Sequence, residues 1–361
     1  MTNDASAGPS TSEPSTSEPS TGQPGFTTQL GFNTTYGRGV AAGVGDRGQT
    51  VVAVCDPDVW AWFSPTFGPA PAMLIDAVEL GPAHLDDLAA SVPADATIVG
   101  IGGGVAMDVA KWIHWRRRLP LIQVPTLPSV NACFTRMTAL RDGGRVRYEG
   151  DAIPDEVIVD YGIFADAPPA MVRAGIGDVL SCHTALWDWR VGVMAGYEPA
   201  WDDESAGASM RYIDGLRQAA PGIAAVTDEG IRSLMELHRE IGWRCHQMQH
   251  ARFEEGSEHF FAYCFEEVTG RTILHGELVS LGVLIMSTVQ GNNPWLPRAI
   301  VQAAGTRHRP EDLGITWDEI DATLDRLQEF TIAGDYWYSV VQQGFDVGRA
   351  KEQARAAVDF D

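Results

Sequence analysis

Two histidines lie sixteen residues apart, His259 in "GSEH" and His275 in "HGE", and each has a glutamate close by, Glu258 and Glu277. Imidazoles ligate divalent cations, so the two could meet on a metal; they could equally be two unrelated surface side chains. Their spacing is not the i, i+4 ligand pair of a HExxH helix, so spacing alone does not decide. A second candidate is "GIGGGVAMDVAK" at residues 100–111. Gly102, Gly103 and Gly104 fall at a strand-to-helix junction, where bare backbone N–H groups and the positive end of a helix can take a diphosphate. The run is not GxGxxG, and a tight turn that needs glycine would look the same. Asp56 ends an earlier apolar run, "TVVAVCD". A carboxylate there can accept from an adenosine ribose, or simply start a turn.

Such groups need a scaffold. Short apolar runs at 50–56, 96–104, 120–126 and 155–160 predict buried strands, and 86–92 and 105–118 predict helices. In the second helix Val105, Val109 and Ile113 share a face that can pack on a sheet. Strand, glycine turn, helix, strand is the pattern of a parallel α/β sheet. Past Pro168 and Pro169 the runs are long and helical, and no convincing strand follows. The expected organisation is a Rossmann-like nucleotide-binding domain over 26–164 and an all-α domain over 165–361, with ligands in the cleft between them. Residues 1–25 repeat STSEP and are rich in Ser, Thr and Pro, the composition of a disordered tail, so structure is expected to start near Phe26.

Composition narrows the function classes. The net charge of −22 argues against nucleic acid as a partner, since phosphate backbones need clustered Lys and Arg, and lysine occurs only at 111 and 351. A small anionic substrate needs only a local basic pocket and stays open. Five scattered cysteines without CxxC spacing read as reduced thiols, which points to the cytoplasm. No apolar run approaches the roughly 18 residues of a membrane-spanning helix.

Taken in order, "GIGGGVAMDVAK", "VPTLPSVNA", "AGIGDVLSCHTALWDWR", "GSEH" and "HGELVSLG" resemble the superfamily of glycerol dehydrogenases, iron-containing alcohol dehydrogenases and dehydroquinate synthases. Together with "FTIAGDYW" at 330–337, they look most like the sn-glycerol-1-phosphate dehydrogenases. The resemblance implies a dehydroquinate synthase-like fold and an NAD- or NADP-linked alcohol dehydrogenase, with a small, anionic alcohol or carbonyl substrate and a homo-oligomeric assembly. It also implies one divalent metal, Zn²⁺ or Fe²⁺, held by Asp178, His259 and His275. Two neutral imidazoles and one carboxylate leave such an ion with one net positive charge and an open position. Glu258 and Glu277 could orient these ligands, although Glu277 reads better as solvated. The resemblance carries Gly102, Gly103, Gly104 and Asp108 to the diphosphate turn, and Thr126 and Ser129 to the nicotinamide end. Asp56 would accept from the ribose and repel a 2′-phosphate, favouring NAD. Lys111 falls on the same helix and could pair locally. His84, His114, His238, His246, His250 and His308 read as core or surface residues.

Two departures qualify the resemblance. Asn131 stands where the family usually has an aspartate that touches the substrate hydroxyls or the metal-bound water; an amide can hydrogen-bond there but not take a proton. Cys182, followed by His183, stands where glycerol-1-phosphate enzymes commonly have a lysine. Arg136 and His183 are then candidate substrate groups alongside Asn131, Arg136 through bidentate binding of an anion. Two other functions share these motifs: a dehydroquinate synthase-like lyase that uses NAD transiently, and a degenerate, non-catalytic relative.

Overall fold

The computed structural model describes residues 31–47, 50–142 and 145–360, so the segment 1–25 and the start near Phe26 lie outside the described residues. Residues 31–361 form one compact unit. Six strands make a fully parallel sheet: β1 (Thr34–Gly37), β2 (Thr50–Cys55), β3 (Met73–Asp76), β4 (Ala96–Gly102), β5 (Leu121–Pro125) and β8 (Glu156–Asp160), in the order β1-β8-β5-β4-β2-β3. The central strands are apolar along their length because helices cover both faces, and β2, β4 and β5 are almost entirely buried. Between β5 and β8 the chain forms an antiparallel hairpin, β6 (Thr138–Asp142) with β7 (Arg145–Glu149), which its mixed polar sequence did not announce.

Three helices interleave the first strands: α1 (Pro57–Phe67), α2 (Pro82–Ser91) and α3 (Gly104–Arg117). Asp56 caps α1, its Oδ1 accepting from the backbone N–H groups of Asp58 and Val59, and Pro57 fixes the first turn. On α3, Val109 and Ile113 are buried as expected, but Val105 is exposed in the first turn at the end nearest the glycine loop.

Beyond Asp160 all regular structure among the described residues is helical. The helices used below are α4 (Tyr161–Asp166), α5 (Pro169–Arg173), α6 (Gly177–Leu180), α7 (Cys182–Met194), α8 (Asp203–Ala224), α9 (Asp228–Met248), α10 (Ser257–Thr269) and α11 (His275–Gln290). Helices α6 to α11 share one large core, with Phe260, Phe261, Phe265, Leu281 and Leu284 fully buried, whereas Phe164 of α4 and Val172 of α5 pack in the core with the sheet. Helix α11 is apolar nearly all round, as suits the centre of a bundle. Gly270, with φ 65°, ends α10 in the left-handed conformation that glycine adopts without strain. The chain then turns, and His275 opens α11, so a helix–turn–helix carries both histidines.

Candidate active site

Asp178, His259 and His275 come together although 81 residues separate the first from the second. One ligand atom from each lies within 4.8 Å of the others. Asp178 Oδ1 is 3.5 Å from His275 Nε2 and 3.8 Å from His259 Nε2. Each residue sits in the first turn of a helix: Asp178 on α6, His259 on α10 and His275 on α11. Glycines beside two of them let the backbones touch. A Cβ on Gly177 would lie 2.3 Å from the Gly276 carbonyl oxygen, and one on Gly276 would lie 2.0 Å from the Ala174 oxygen.

The donors around the three fit a cation. Asp178 Oδ1 is buried and has no hydrogen-bond donor, which is costly for a carboxylate oxygen. Its other oxygen accepts from the backbone N–H of Asn131 at 2.9 Å. Glu258 Oε1 lies 3.0 Å from His259 Nδ1, which keeps a proton on that nitrogen and makes Nε2, on the Asp178 side, the atom that can exchange its proton for a cation. Burial raises the Asp178 carboxyl, but the imidazoles of His259 and His275 more than reverse this and hold it well below the usual range. Burial disfavours charge on His259 in turn, while Asp178 and Glu258 push its pKa well above the ordinary value.

Glu258 therefore orients a histidine, as its position beside His259 suggested. Glu277 does not fit its expected role. It is buried, not solvated, because Arg307 binds it with two hydrogen bonds, 2.6 and 2.8 Å.

The glycine turn lies at the carboxyl ends of the strands. Gly102 ends β4 with φ 142°, and Thr126 N–H, just past β5, donates to its carbonyl at 2.9 Å. Asp56 follows Cys55, the register partner of Ile101, so it stands beside Gly102 across the sheet. One of its oxygens is spent on the α1 cap. Gly103 has ordinary dihedrals, and a Cβ there would meet nothing within 4 Å, so packing does not explain the glycine. The β5–α loop runs from Thr126 through buried Ser129 to Asn131, and so joins the glycine turn to Asp178.

Three of the expected site residues are not brought in. Asp108 is turned into the fold: it is buried, pairs with Lys111 at 2.7 Å and accepts from Ala139 N–H, so both oxygens serve the hairpin and helix α3. Arg136 donates to Gln249 at 2.5 Å and lies 3.5 Å from Asp151. His183 contacts the Asn292 carbonyl at 2.6 Å, while the Asn292 amide donates back to the His183 carbonyl. Burial lowers the His183 pKa, so it is a neutral packing group.

The site also contains groups that sequence reading missed. Glu254, 7% exposed, accepts from Asn131 Nδ2 at 3.0 Å and from Cys245 Sγ at 3.2 Å. Burial first, and the Asp178 charge second, push its pKa up to about 8. Glu255 is equally buried and accepts from the hydroxyls of Tyr148, on β7, and Tyr263, on α10. The doublet "EE" directly before the glycine of "GSEH" was visible, but nothing in its spacing marks it as buried.

Residues 76–168 match the model of a family described as iron-containing alcohol dehydrogenase. Among known proteins, the chain is 26% identical over 303 residues to the glycerol-1-phosphate dehydrogenase (NAD(P)+) of Hyperthermus butylicus, covering 80% of this chain and 86% of that one. It is 30% identical over 246 residues to the enzyme of the same name from Saccharolobus islandicus, covering 66% and 69%. In fold it resembles the crystal structure of glycerol dehydrogenase from Schizosaccharomyces pombe, with TM-score 0.68, 18% identity and coverage of 92% and 91%.

Proposed function

This chain belongs to the glycerol-1-phosphate dehydrogenase family of iron-containing alcohol dehydrogenases, and on that premise we propose that it is a metal-dependent, NAD(P)-linked oxidoreductase acting on a small polyol phosphate. Glycerol 1-phosphate with dihydroxyacetone phosphate, or a related phosphate or phosphonate alcohol, is the substrate class. One observation carries the reading: a buried carboxylate oxygen without a donor, faced by two imidazoles, one loop away from a glycine turn at the strand ends.

Residues 26–164 are assigned to the dinucleotide and 165–361 to metal and substrate. Asp178, His259 and His275 would hold Zn²⁺ or Fe²⁺, which supplies a Lewis acid for the reacting hydroxyl or carbonyl. Glu258 keeps His259 in the tautomer that ligates. Backbone N–H groups at Gly102–Gly104 and the start of α3 receive the diphosphate. Asp56 keeps one oxygen for a ribose hydroxyl and disfavours a 2′-phosphate, so NAD is the preferred coenzyme. Thr126 and Ser129 line the nicotinamide end. The reaction is alcohol plus NAD(P)⁺ to carbonyl, NAD(P)H and a proton, the carbinol carbon giving hydride to the nicotinamide.

The test is oxidation of reduced nicotinamide by protein reconstituted with Zn²⁺ or Fe²⁺, across dihydroxyacetone phosphate, dihydroxyacetone and phosphonate analogues. Turnover that requires metal and is lost in His259→Ala and His275→Ala supports the reading. Absence of bound metal and of net nicotinamide oxidation with every substrate refutes it.

A further inference from the structure

Asn131 is one of the two positions at which the motifs depart from the expected pattern, and its amide is not free. The backbone N–H of Asn131 holds Asp178 Oδ2, and its Nδ2 donates to Glu254 Oε2 at 3.0 Å. The buried carboxylates around it are otherwise committed. Glu258 serves Gly256 N–H, His259 and Thr184; Glu255 serves two tyrosines; Asp188 accepts from the N–H groups of Ser257 and Val340. Glu254 is the carboxylate that binds the side chain of Asn131. Once ionised, above its pKa of about 8, Glu254 can only accept, and it then selects the flip state that turns the Asn131 NH₂ toward it. The amide oxygen then occupies the opposite branch and is the atom available to a ligand.

We propose that Glu254 is a positioning residue of the active site, acting through Asn131 by holding its amide oxygen toward the substrate hydroxyl beside Asp178. This rests on the dehydrogenase reading above. Asn131 and Glu254 thus form one unit, an amide and a carboxyl that, when Glu254 is ionised, bring a single negative charge to the edge of the metal centre.

The unit makes a reciprocal exchange informative. Asn131→Asp alone places two carboxylates at hydrogen-bond distance, where they cannot both ionise without cost. Glu254→Gln alone offers the Asn131 amide a donor as well as an acceptor and releases its flip state. The double variant restores one carboxylate and one amide in exchanged order. Assays use the Zn²⁺-loaded enzyme at about pH 9, where Glu254 is ionised, with dihydroxyacetone phosphate and reduced nicotinamide. Its affinity for dihydroxyacetone phosphate is also measured by calorimetry with NAD⁺ bound. Glu254→Gln should raise KM and the calorimetric Kd about tenfold, the worth of one hydrogen bond, with kcat changed less. Asn131→Asp should lower kcat/KM by at least about tenfold, and the double variant should return to within a few-fold of the parent. Melting temperatures accompany each variant, so that a fold defect is separated from a loss of positioning. Additive losses in a folded double variant, or a Glu254→Gln enzyme with parental KM and Kd, would overturn the proposal. A parent protein that binds metal and nucleotide but reduces none of the substrates would instead refute the dehydrogenase reading, and the placement of Asn131 with it.

Discussion

Replacing Gly276 with alanine should disassemble the ligand triad without touching a ligand. The added Cβ would stand 2.0 Å from the Ala174 carbonyl oxygen and 2.9 Å from the Ser129 oxygen. A carbon-to-oxygen contact settles at about 3.3 Å or more, so the start of α11 must retreat by roughly 1.3 Å from backbone that cannot rotate away. His275 is the neighbouring residue and would move with it, away from Asp178 Oδ1, now 3.5 Å from its Nε2. Metal sites tolerate deviations of only about 0.2 Å from their preferred distances. Overpacking of this kind costs about 1–3 kcal/mol, with backbone against backbone at the upper end. At about 2 °C per kcal/mol for a chain of this size, the melting temperature should fall on the order of 6 °C. Metal content should fall well below one ion per chain, and turnover should be lost. Gly207→Ala is the control: its Cβ would make an ordinary 3.5 Å contact in helix α8, and alanine there should be neutral or stabilising by up to about 1 kcal/mol. Elemental analysis, thermal melts and steady-state turnover on the two variants decide the matter. A folded Gly276→Ala protein with parental metal content and kcat would refute the argument that backbone contact sets the ligand geometry.

Gly103→Ala should leave stability within about 0.5 kcal/mol, because the new methyl meets nothing, yet weaken nucleotide binding about tenfold or more; unchanged affinity in calorimetry would remove this turn from the diphosphate site. Asp56→Asn keeps an oxygen to cap α1 but loses the charge. It should therefore narrow the preference for NADH over NADPH with little change in melting temperature, and an unaltered kcat/KM ratio for the two coenzymes would contradict the ribose role. Glu258→Gln should lower metal affinity by about 10- to 100-fold by loosening His259, read by competition with a chromophoric chelator; parental affinity would exclude an orienting role. Asp188 carries a carboxyl whose pKa burial, and then Glu258, raise to about 6 in the folded protein. A group that holds its proton more tightly when folded stabilises fully below about pH 4 and loses that contribution as pH rises through about 6. The stability of Asp188→Asn relative to the parent, from urea melts, should accordingly increase between those values, and a flat difference would show that the backbone N–H groups of Ser257 and Val340 offset the burial.

Long apolar runs were the legible part of the sequence. The strands β2, β4, β5 and β8 and helix α3 appear within a few residues of their expected positions, because a strand buried on both faces writes itself as an uninterrupted apolar run. Elements that rely on partners elsewhere were not legible. Strands β1 and β3 flank the sheet and are only four residues long, and the β6–β7 hairpin is half polar. The convergence of Asp178, His259 and His275 followed from the family resemblance and from no local pattern, since the contact is made by Gly177 and Gly276, whose role appears only when α6 and α11 are packed. Charged residues were read least well. Asp108 was expected at the nucleotide because the family resemblance carries it there, but the hairpin that occupies it was itself unforeseen. Glu277 looked solvated because its partner, Arg307, is thirty residues away.

The same difficulty concerns the five carboxylates near the candidate centre, and it bears on what an asparagine does at position 131. Asp178, Asp188, Glu254, Glu255 and Glu258 are each at most 7% exposed. A buried negative charge is tolerable only where donors or cations replace water. Arg252 is buried among them, but its Nη2 donates to the backbone carbonyls of Asp188 and Tyr338, so it offsets their charge only through space. Backbone N–H groups and a threonine satisfy Asp188 and Glu258, and tyrosines satisfy Glu255. Asp178 Oδ1 is left without a donor, so the unmet demand for positive charge falls between it and the two imidazoles. A sixth carboxylate at position 131 would stand against Glu254 and add to that demand at the point where it is greatest. Asparagine removes the added charge and supplies the one donor Glu254 needs from that side. Asparagine at 131 is therefore intelligible only together with Glu254, and a variant that changes one should be judged by what it leaves unpaired on the other.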